Sequence, residues 1–422
     1  MQMRLVSALA VAAQLGFLAV GQAQQKPADH WVVSWATAEL LVRAPRPQSA
    51  SAPSNAPPGA AGFHNQTVRM AVRASMGGRR LRIKISNAFG SEPLTVGTAH
   101  IALRGKDSAI VEGSDHAVSF DGQPGCTIGP GIVKISDPVE MNVAPLAELS
   151  VSLYFPGETG PPTIHSTALH GTYIEEGDVT GAASMPDARR TEQYYWLAGI
   201  DVDAAPDAAA IVTLGDSITD GARSTSETDH SWPALLAARL AGDKRTAMLG
   251  VANEGIGGNR ILRDGSGASA LSRFDRDVLS QSGVKWVMFL EGINDIGHGD
   301  TEPVTAEELI AAHKQIIEMA HAHGIKVIGC TLTPFEGAHY YRENGEAIRE
   351  ALNKWIRTSG EYDAVVDFEA AVRDSADPKH IRADFDPGDH LHANNAGYEA
   401  MANAVDLSIF SGRPGKAAAK KK

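Results

Sequence analysis

Two periodicities divide this chain. Up to about residue 200, apolar and polar residues alternate in short runs, in Val68-Arg69-Met70-Ala71-Val72-Arg73 and more regularly in Leu81-Arg82-Ile83-Lys84-Ile85. Leu149-Ser150-Val151-Ser152-Leu153-Tyr154-Phe155 is a third such run, and clusters of Gly, Pro, Asn and Asp separate them. A period of two sends successive side chains to opposite faces of a strand, so the spacing predicts an all-β domain, a sandwich or jelly-roll-like fold, over residues 30–200. Arg43 to Gly62, rich in Pro, Ala and Ser, reads as a long loop, and Asp201 to Ala208 as the connection to the second half of the chain.

From residue 206 the pattern changes to short apolar runs that end in Gly- or Asn-bearing loops and alternate with helical spacing. The runs predict strands at Ile211-Leu214, Ala247-Ala252, Trp286-Leu290, Val327-Cys330 and Ala364-Phe368. Helical spacing covers Trp232 to Leu240, Ala306 to His323 and Glu343 to Arg357. Strands alternating with helices imply a parallel sheet covered on both faces, and such sheets bind ligands beyond the carboxyl ends of their strands. Ser217, Gly258 and Asn294 each fall just after a predicted strand.

Length and composition narrow the picture. At 422 residues, with 43% hydrophobic and 6% aromatic residues, the chain suits two globular domains. A net charge of -12 without a basic stripe argues against nucleic acid, and Lys420-Lys421-Lys422 belongs to a solvated basic tail over residues 413–422. Arg4, the apolar stretch Leu5 to Val20 and Gly21-Gln22-Ala23 read as a signal peptide over residues 1–23, cleaved after Ala23. The stretch is Ala-rich and interrupted by Ser7 and Gln14, which disfavours a membrane anchor, so the expected mature chain is exported without stable membrane insertion. Export permits a disulfide, but Cys126 sits in a Gly/Pro-rich turn of one half and Cys330 ends a buried run of the other, and two separate thiols are expected.

The candidate chemistry is acyl transfer. A serine hydroxyl needs a base within hydrogen-bond reach, and the oxyanion that forms when it attacks an ester needs fixed donors. Gly215-Asp216-Ser217 places a serine on a tight strand-to-helix turn; Asp389-His390-Leu391-His392 puts an aspartate three residues before a histidine. Between them stand Gly257-Gly258-Asn259 and Gly292-Ile293-Asn294-Asp295, sources of a close-approaching backbone N–H and of a side-chain amide.

In order, Gly215-Asp216-Ser217, Gly258, Gly292-Ile293-Asn294-Asp295 and Asp389-His390-Leu391-His392 resemble the four blocks of the SGNH/GDSL hydrolase family, over roughly residues 206–412. The resemblance implies a flavodoxin-like three-layer α/β fold and a serine esterase with Ser217 as nucleophile, His392 as general base and then acid, and Asp389 orienting the imidazole. It implies an oxyanion hole of Ser217 N–H, Gly258 N–H and the Asn294 side chain, with Asp216 bracing the loop, and no metal or organic cofactor. Trp31 to Thr37, Gln66 to Arg73 and Asn87-Ala88-Phe89-Gly90 are also similar to the β-rich leader of a two-domain bacterial subgroup that includes acetylxylan-esterase-like members. The expected substrate is therefore a short-chain acyl ester, small or on polysaccharide, most of all an acetylated carbohydrate; Asn259, Arg260, Arg263 and Asp264 suit a hydroxylated alcohol. The sequence leaves open a lipase or arylesterase of the same fold, a carbohydrate-binding protein with an inactive hydrolase domain, and the oligomeric state.

Other arrangements are weaker. His390 and His392 with Asp386 and Asp389, or His321 with His323, suggest a metal site, but no third cluster completes it at diagnostic spacing. His298 reads as a loop histidine near the site. Gly255, Gly257 and Gly258 lack the spacing and the following Lys-Ser/Thr of a phosphate loop.

Overall fold

A computed structural model describes residues 29–42, 59 and 61–410. The expected signal segment, most of the Arg43–Gly62 loop and the basic tail lie outside the described residues.

The alternating runs form two antiparallel sheets. One has the order Trp31–Ala36, Leu197–Asp203, Leu81–Ser86, Val133–Ile135; the other runs Arg189–Thr191, Thr172–Glu176, Gln66–Arg73, Glu148–Phe155, Thr98–Leu103, His116–Val118. In the larger sheet Val72, Met70 and Val68 stand opposite Leu149, Val151 and Leu153, and all six are fully buried. Phe63, Phe155 and Trp196 pack ring against ring, Phe63 stacked on Phe155 and edge-on to Trp196, and Phe155 and Trp196 with ring centroids 4.7 Å apart. The alternate face of Gln66–Arg73 is closed as well. Arg69, 1% exposed, donates to Ser152 Oγ at 2.8 Å and to the carbonyls of Ser108, Thr180 and Ala182. Burial presses its guanidinium below the usual arginine range, and the carbonyl fork holds it in place.

Three expectations are corrected by the structure. The stretch Asp201 to Ala208 is not all connection, because Leu197–Asp203 is a central strand between Trp31–Ala36 and Leu81–Ser86. Its aspartates suit that place: Asp201 receives Arg82 and Lys84, and Asp203 receives Arg79 and Arg80. Cys126 lies in a short strand, Cys126–Ile128, and not in a turn. The strand predicted to run to Phe368 stops at Val366, because Asp367 caps the helix Phe368–Val372 by accepting from Ala370 N. Both cysteines are free, and burial pushes the Cys126 thiol up to about 11.

The second half holds the parallel sheet. Its strands are β1 (Ala209–Gly215), β2 (Leu249–Gly255), β3 (Val284–Leu290), β4 (Lys326–Cys330) and β5 (Ala364–Val366), in the order β2-β1-β3-β4-β5. This is the doubly wound order, with the reversal between β1 and β3. Every residue of β1 is buried, as a central strand covered on both faces requires. Trp232–Gly242 packs with Asn395–Ala404, and Ala306–Ala322 with Glu343–Thr358. Among the described residues no helix is long and apolar enough to cross a membrane.

Strand β2 would be an open edge, and the antiparallel half covers it. Thr37 makes a parallel bridge to Asn253 and Val251 N donates to Ser75 Oγ at 2.8 Å; in the turn before β3, Ser282 O accepts Val33 N at 2.9 Å. Gly250 is required by that approach, since a Cβ there would lie 2.3 Å from Val33 O.

Candidate active site

The turn after β1 is built for a serine. Gly215 lets the serine helix and β3 approach the strand end closely, because a Cβ would stand 2.2 Å from Thr219 Oγ1 and 2.5 Å from Leu290 O. Asp216 caps the following helix, Ser217–Asp220, accepting from Ile218 N at 2.9 Å, and Gly221 at φ +100° ends it. Ser217, the first helical residue, has a backbone N–H without an intrahelical acceptor.

Ser217 Oγ lies 2.8 Å from His392 Nε2, and His392 Nδ1 lies 2.9 Å from Asp389 Oδ2. Asp389 Oδ1 accepts the Leu391 and His392 amides at 3.1 and 3.0 Å, which fixes the carboxylate against its own loop. Partial burial opposes its charge, but the His392 amide, the His392 ring and Arg223 outweigh it and hold the carboxyl well below the usual range. An ionised Asp389 accepts a hydrogen bond from Nδ1–H, which leaves the Nε2 lone pair facing Ser217 Oγ. The chain Ser217–His392–Asp389 can move a proton away from an attacking oxygen.

Gly258 and Asn294 stand after the neighbouring strands, whose ends are level: Gly215 pairs with Gly255 on one side and Leu290 on the other. Gly258 is left-handed, φ +75°, and a Cβ would lie 2.7 Å from Ser266 Oγ. Asn294 donates one Nδ2 hydrogen to Asn259 O at 3.0 Å, and its second amide hydrogen remains to be placed. Asp295 accepts Ile261 N and Leu262 N, tying down the loop after Gly258. Burial pushes Asp216 up to about 7, with Asp295 adding to the effect, in keeping with a brace.

Arg273 is a residue that the sequence reading missed. Fully buried, it donates to Asn259 Oδ1 at 2.9 Å, Glu254 O at 2.7 Å, Gly215 O at 2.9 Å and Asp277 at 2.8 Å. It bolts the ends of β1 and β2 to the Gly258 loop. The signal was an arginine among Ala270, Leu271 and Phe274, four residues before Asp277.

Of Asn259, Arg260, Arg263 and Asp264, expected to suit a hydroxylated alcohol, most are engaged elsewhere. Asn259 is fully buried and bonded to Ala268 O and Arg273; Arg260 pairs with Glu302 and donates to Asp264 O; Asp264 accepts Ser269 N. Three of the four therefore serve the loop itself. His298 is an exposed residue whose Nδ1 meets Asn294 O at 2.7 Å. His390 pairs with Asp386 at 2.5 Å, apart from the His392–Asp389 pair, and His321 pairs with Asp363. Glu336, Asp377 and His380 bring ligand-type atoms within 4.8 Å of one another, a grouping that includes none of these histidines.

The antiparallel half reaches the serine turn. His165 Nε2 lies 3.0 Å from Asp220 Oδ1 and its Nδ1 lies 2.7 Å from Ala38 O. A cavity of about 110 Å³ opens between the halves, lined by Trp35, His165, His170, Tyr194, Asp220 and Asp229 but not by Ser217. Beside it, the loop over residues 221–231 is pinned by Glu227, which takes Arg104, Arg190 and Gly171 N. His170 faces a carboxylate with each ring nitrogen, Asp229 at 3.0 Å and Glu227 at 3.3 Å. Burial disfavours its charge, but the two carboxylates prevail and lift it to about 9. A folded value above the unfolded one, about 6.5, stabilises fully below the latter and is lost as pH rises through the former. Folding stability is expected to fall by about 3 kcal/mol between pH 6.5 and 9.5, and His170→Gln to flatten that slope. Urea unfolding at three pH values checks it, and equal slopes in both proteins would refute the imidazolium.

Residues 213–400 match the model of the GDSL-like Lipase/Acylhydrolase family. Among curated proteins none matches the chain. Similar solved structures include a GDSL-like lipase from Bacteroides thetaiotaomicron, at 21% identity and TM-score 0.36 over 48% of this chain and 87% of that one. An acetyl xylan esterase is 21% identical, TM-score 0.36, over 46% and 96%. A variant of an acetyl-xylooligosaccharide esterase from Geobacillus Stearmophilus is 21% identical, TM-score 0.37, over 46% and 91%. Residues 213–400 therefore form a GDSL-like lipase/acylhydrolase domain, of a family of serine ester hydrolases, carried behind an antiparallel β-rich region.

Proposed function

We propose that the protein is an exported esterase that removes short acyl groups, acetyl above all, from carbohydrate or small alcohols by way of an acyl-enzyme on Ser217. The observation that carries this reading is the unbroken chain Ser217 Oγ–His392 Nε2 at 2.8 Å and His392 Nδ1–Asp389 at 2.9 Å. Ser217 Oγ attacks the acyl carbon as His392 Nε2 takes its proton. The oxyanion is stabilised by the Ser217 and Gly258 amides and the second Asn294 amide hydrogen. His392 then protonates the departing alcohol, and a water deprotonated by the same imidazole releases the acid and restores Ser217. Export rests on the apolar stretch Leu5 to Val20, with its small residues at Gly21 and Ala23. A polar alcohol is favoured by the rim beside the pair, where Arg223 and His390 are exposed and hydrophilic.

The deciding experiment combines labelling with a substrate series. An organophosphonate is expected to inactivate at one equivalent and to be found by peptide mapping on Ser217, with a chelator leaving the rate unchanged. kcat/KM should fall from p-nitrophenyl acetate to the octanoate and palmitate, with acetate released from acetylated xylan. Label on another residue would overturn the serine assignment. A preference for octanoate or longer, with no acetate from polysaccharide, would leave the mechanism and replace the substrate class with that of a lipase or arylesterase.

A further inference from the structure

Asp389 Oδ2 is shared. It receives His392 Nδ1 at 2.9 Å and, on the same oxygen, Arg223 Nε at 2.8 Å. Arg223 belongs to the loop after the serine helix, sits in the left-handed region at φ +70°, and leaves 60% of its side chain exposed. A non-glycine residue stays in that conformation only where its surroundings impose it. Here they do: Glu227 N donates to Leu169 O at 2.8 Å, Thr225 N to Asn395 Oδ1 at 2.9 Å, and Glu227 and Asp229 are held by Arg104, Arg190, His170 and Arg73. Four of those anchors, with Leu169, come from the antiparallel half, so that half places the guanidinium.

We infer that Arg223 is a positioning residue that sets the acid limit of catalysis: it orients Asp389 and offsets part of the carboxylate charge that the His392 ring meets. The inference rests on the reading of His392 as the base. An imidazolium gains from the carboxylate beside it and loses from a cation beyond that carboxylate. A unit charge about 6 Å away in a half-solvated setting is worth about 0.5–1 pH unit. Other charged or titratable groups around the pair are the Asp386–His390 pair on the same loop, Asp216 under the serine turn, and the phenols of Tyr340 and Tyr398, both of which sense Asp389. None of these is altered by a change at Arg223.

The test is the pH profile of kcat/KM for p-nitrophenyl acetate in the full chain, for wild type, Arg223→Gln, Arg223→Lys and His390→Gln. Arg223→Gln should move the acid limb up by about 0.5–1 unit and lower kcat on the plateau only a few-fold. Arg223→Lys, keeping the charge, should return the limb most of the way. His390→Gln should not move it, and 1 M NaCl should shrink the difference between wild type and Arg223→Gln, because the guanidinium is exposed. An acid limb that stays put in Arg223→Gln, or that moves equally in Arg223→Lys, overturns the inference. Failure of Ser217 labelling, or a wild-type profile without an acid limb, instead overturns the catalytic reading beneath it.

Discussion

Ser217→Ala is expected to lower ester turnover by about three orders of magnitude or more while the thermal midpoint stays within a few degrees of wild type. The two halves of that expectation have separate causes. Turnover should collapse because, among the described residues, Ser217 Oγ is the hydroxyl bonded to His392 Nε2, and the proposed amide donors cannot by themselves form an acyl-enzyme. Stability holds because the serine turn does not depend on the hydroxyl. Asp216 caps the helix through Ile218 N, Gly221 ends it with its amide on Ser217 O, and His165 grips it through Asp220. More than a tenth of wild-type activity in Ser217→Ala, measured on freshly purified protein with p-nitrophenyl acetate, would remove the serine from the nucleophile's role. A large loss of midpoint would mean that the hydroxyl is structural and that the lost turnover says little about mechanism.

The elements are legible where periodicity reports burial, and illegible where charges pair across strands. Leu81, Ile83 and Ile85 are fully buried on one face, as alternation predicts. The apolar run predicts β1 from Ile211 to Leu214, yet the strand spans Ala209–Gly215, because alanine and glycine carry little strand signal but still pair. Asp201-Val202-Asp203 resembles a connection because two of its three residues are acidic. They are strand residues that neutralise Arg79, Arg80, Arg82 and Lys84, and cross-strand partners far apart in sequence leave no local trace. In the site, Ser217, Asp389 and His392 stand in one hydrogen-bonded chain, since their chemistry dictates residue type and spacing. The polar residues of the loop after Gly258 mislead in the opposite way. A sequence shows that Asn259, Arg260 and Asp264 are polar but not that Ala268 O, Glu302 and one another are their partners.

Arg273→Met is expected to cost about 3–5 kcal/mol of folding stability and to lower kcat as well. The arginine is 0% exposed among carboxylates of comparable burial: Asp277 and Glu291 pair with it, and Glu254 and Asp216 lie close enough to feel its charge. Exchanging a whole buried ion cluster for apolar residues can be neutral, but this change deletes the central cation and leaves the anions. They escape by taking protons. Burial already holds Glu254 and Glu291 well above the usual carboxylate range, with Asp277 and Asp216 respectively adding to it and Arg273 opposing it. A carboxyl whose folded value lies above its unfolded one, about 4.3, binds more protons in the folded state, so stability falls as pH rises above that value. Removing Arg273 steepens this fall, and the gap between Arg273→Met and wild type should be wider at pH 8 than at pH 5 in urea unfolding. Arg273→Lys separates charge from geometry. One ammonium restores the countercharge but cannot reach Gly215 O, Glu254 O, Asn259 and Asp277 together, so stability should return in part while kcat stays low. A gap that is equal at both pH values would show that Arg273 acts by packing alone, and full kcat in Arg273→Lys would show that the turn and the Gly258 loop keep their places without its fork.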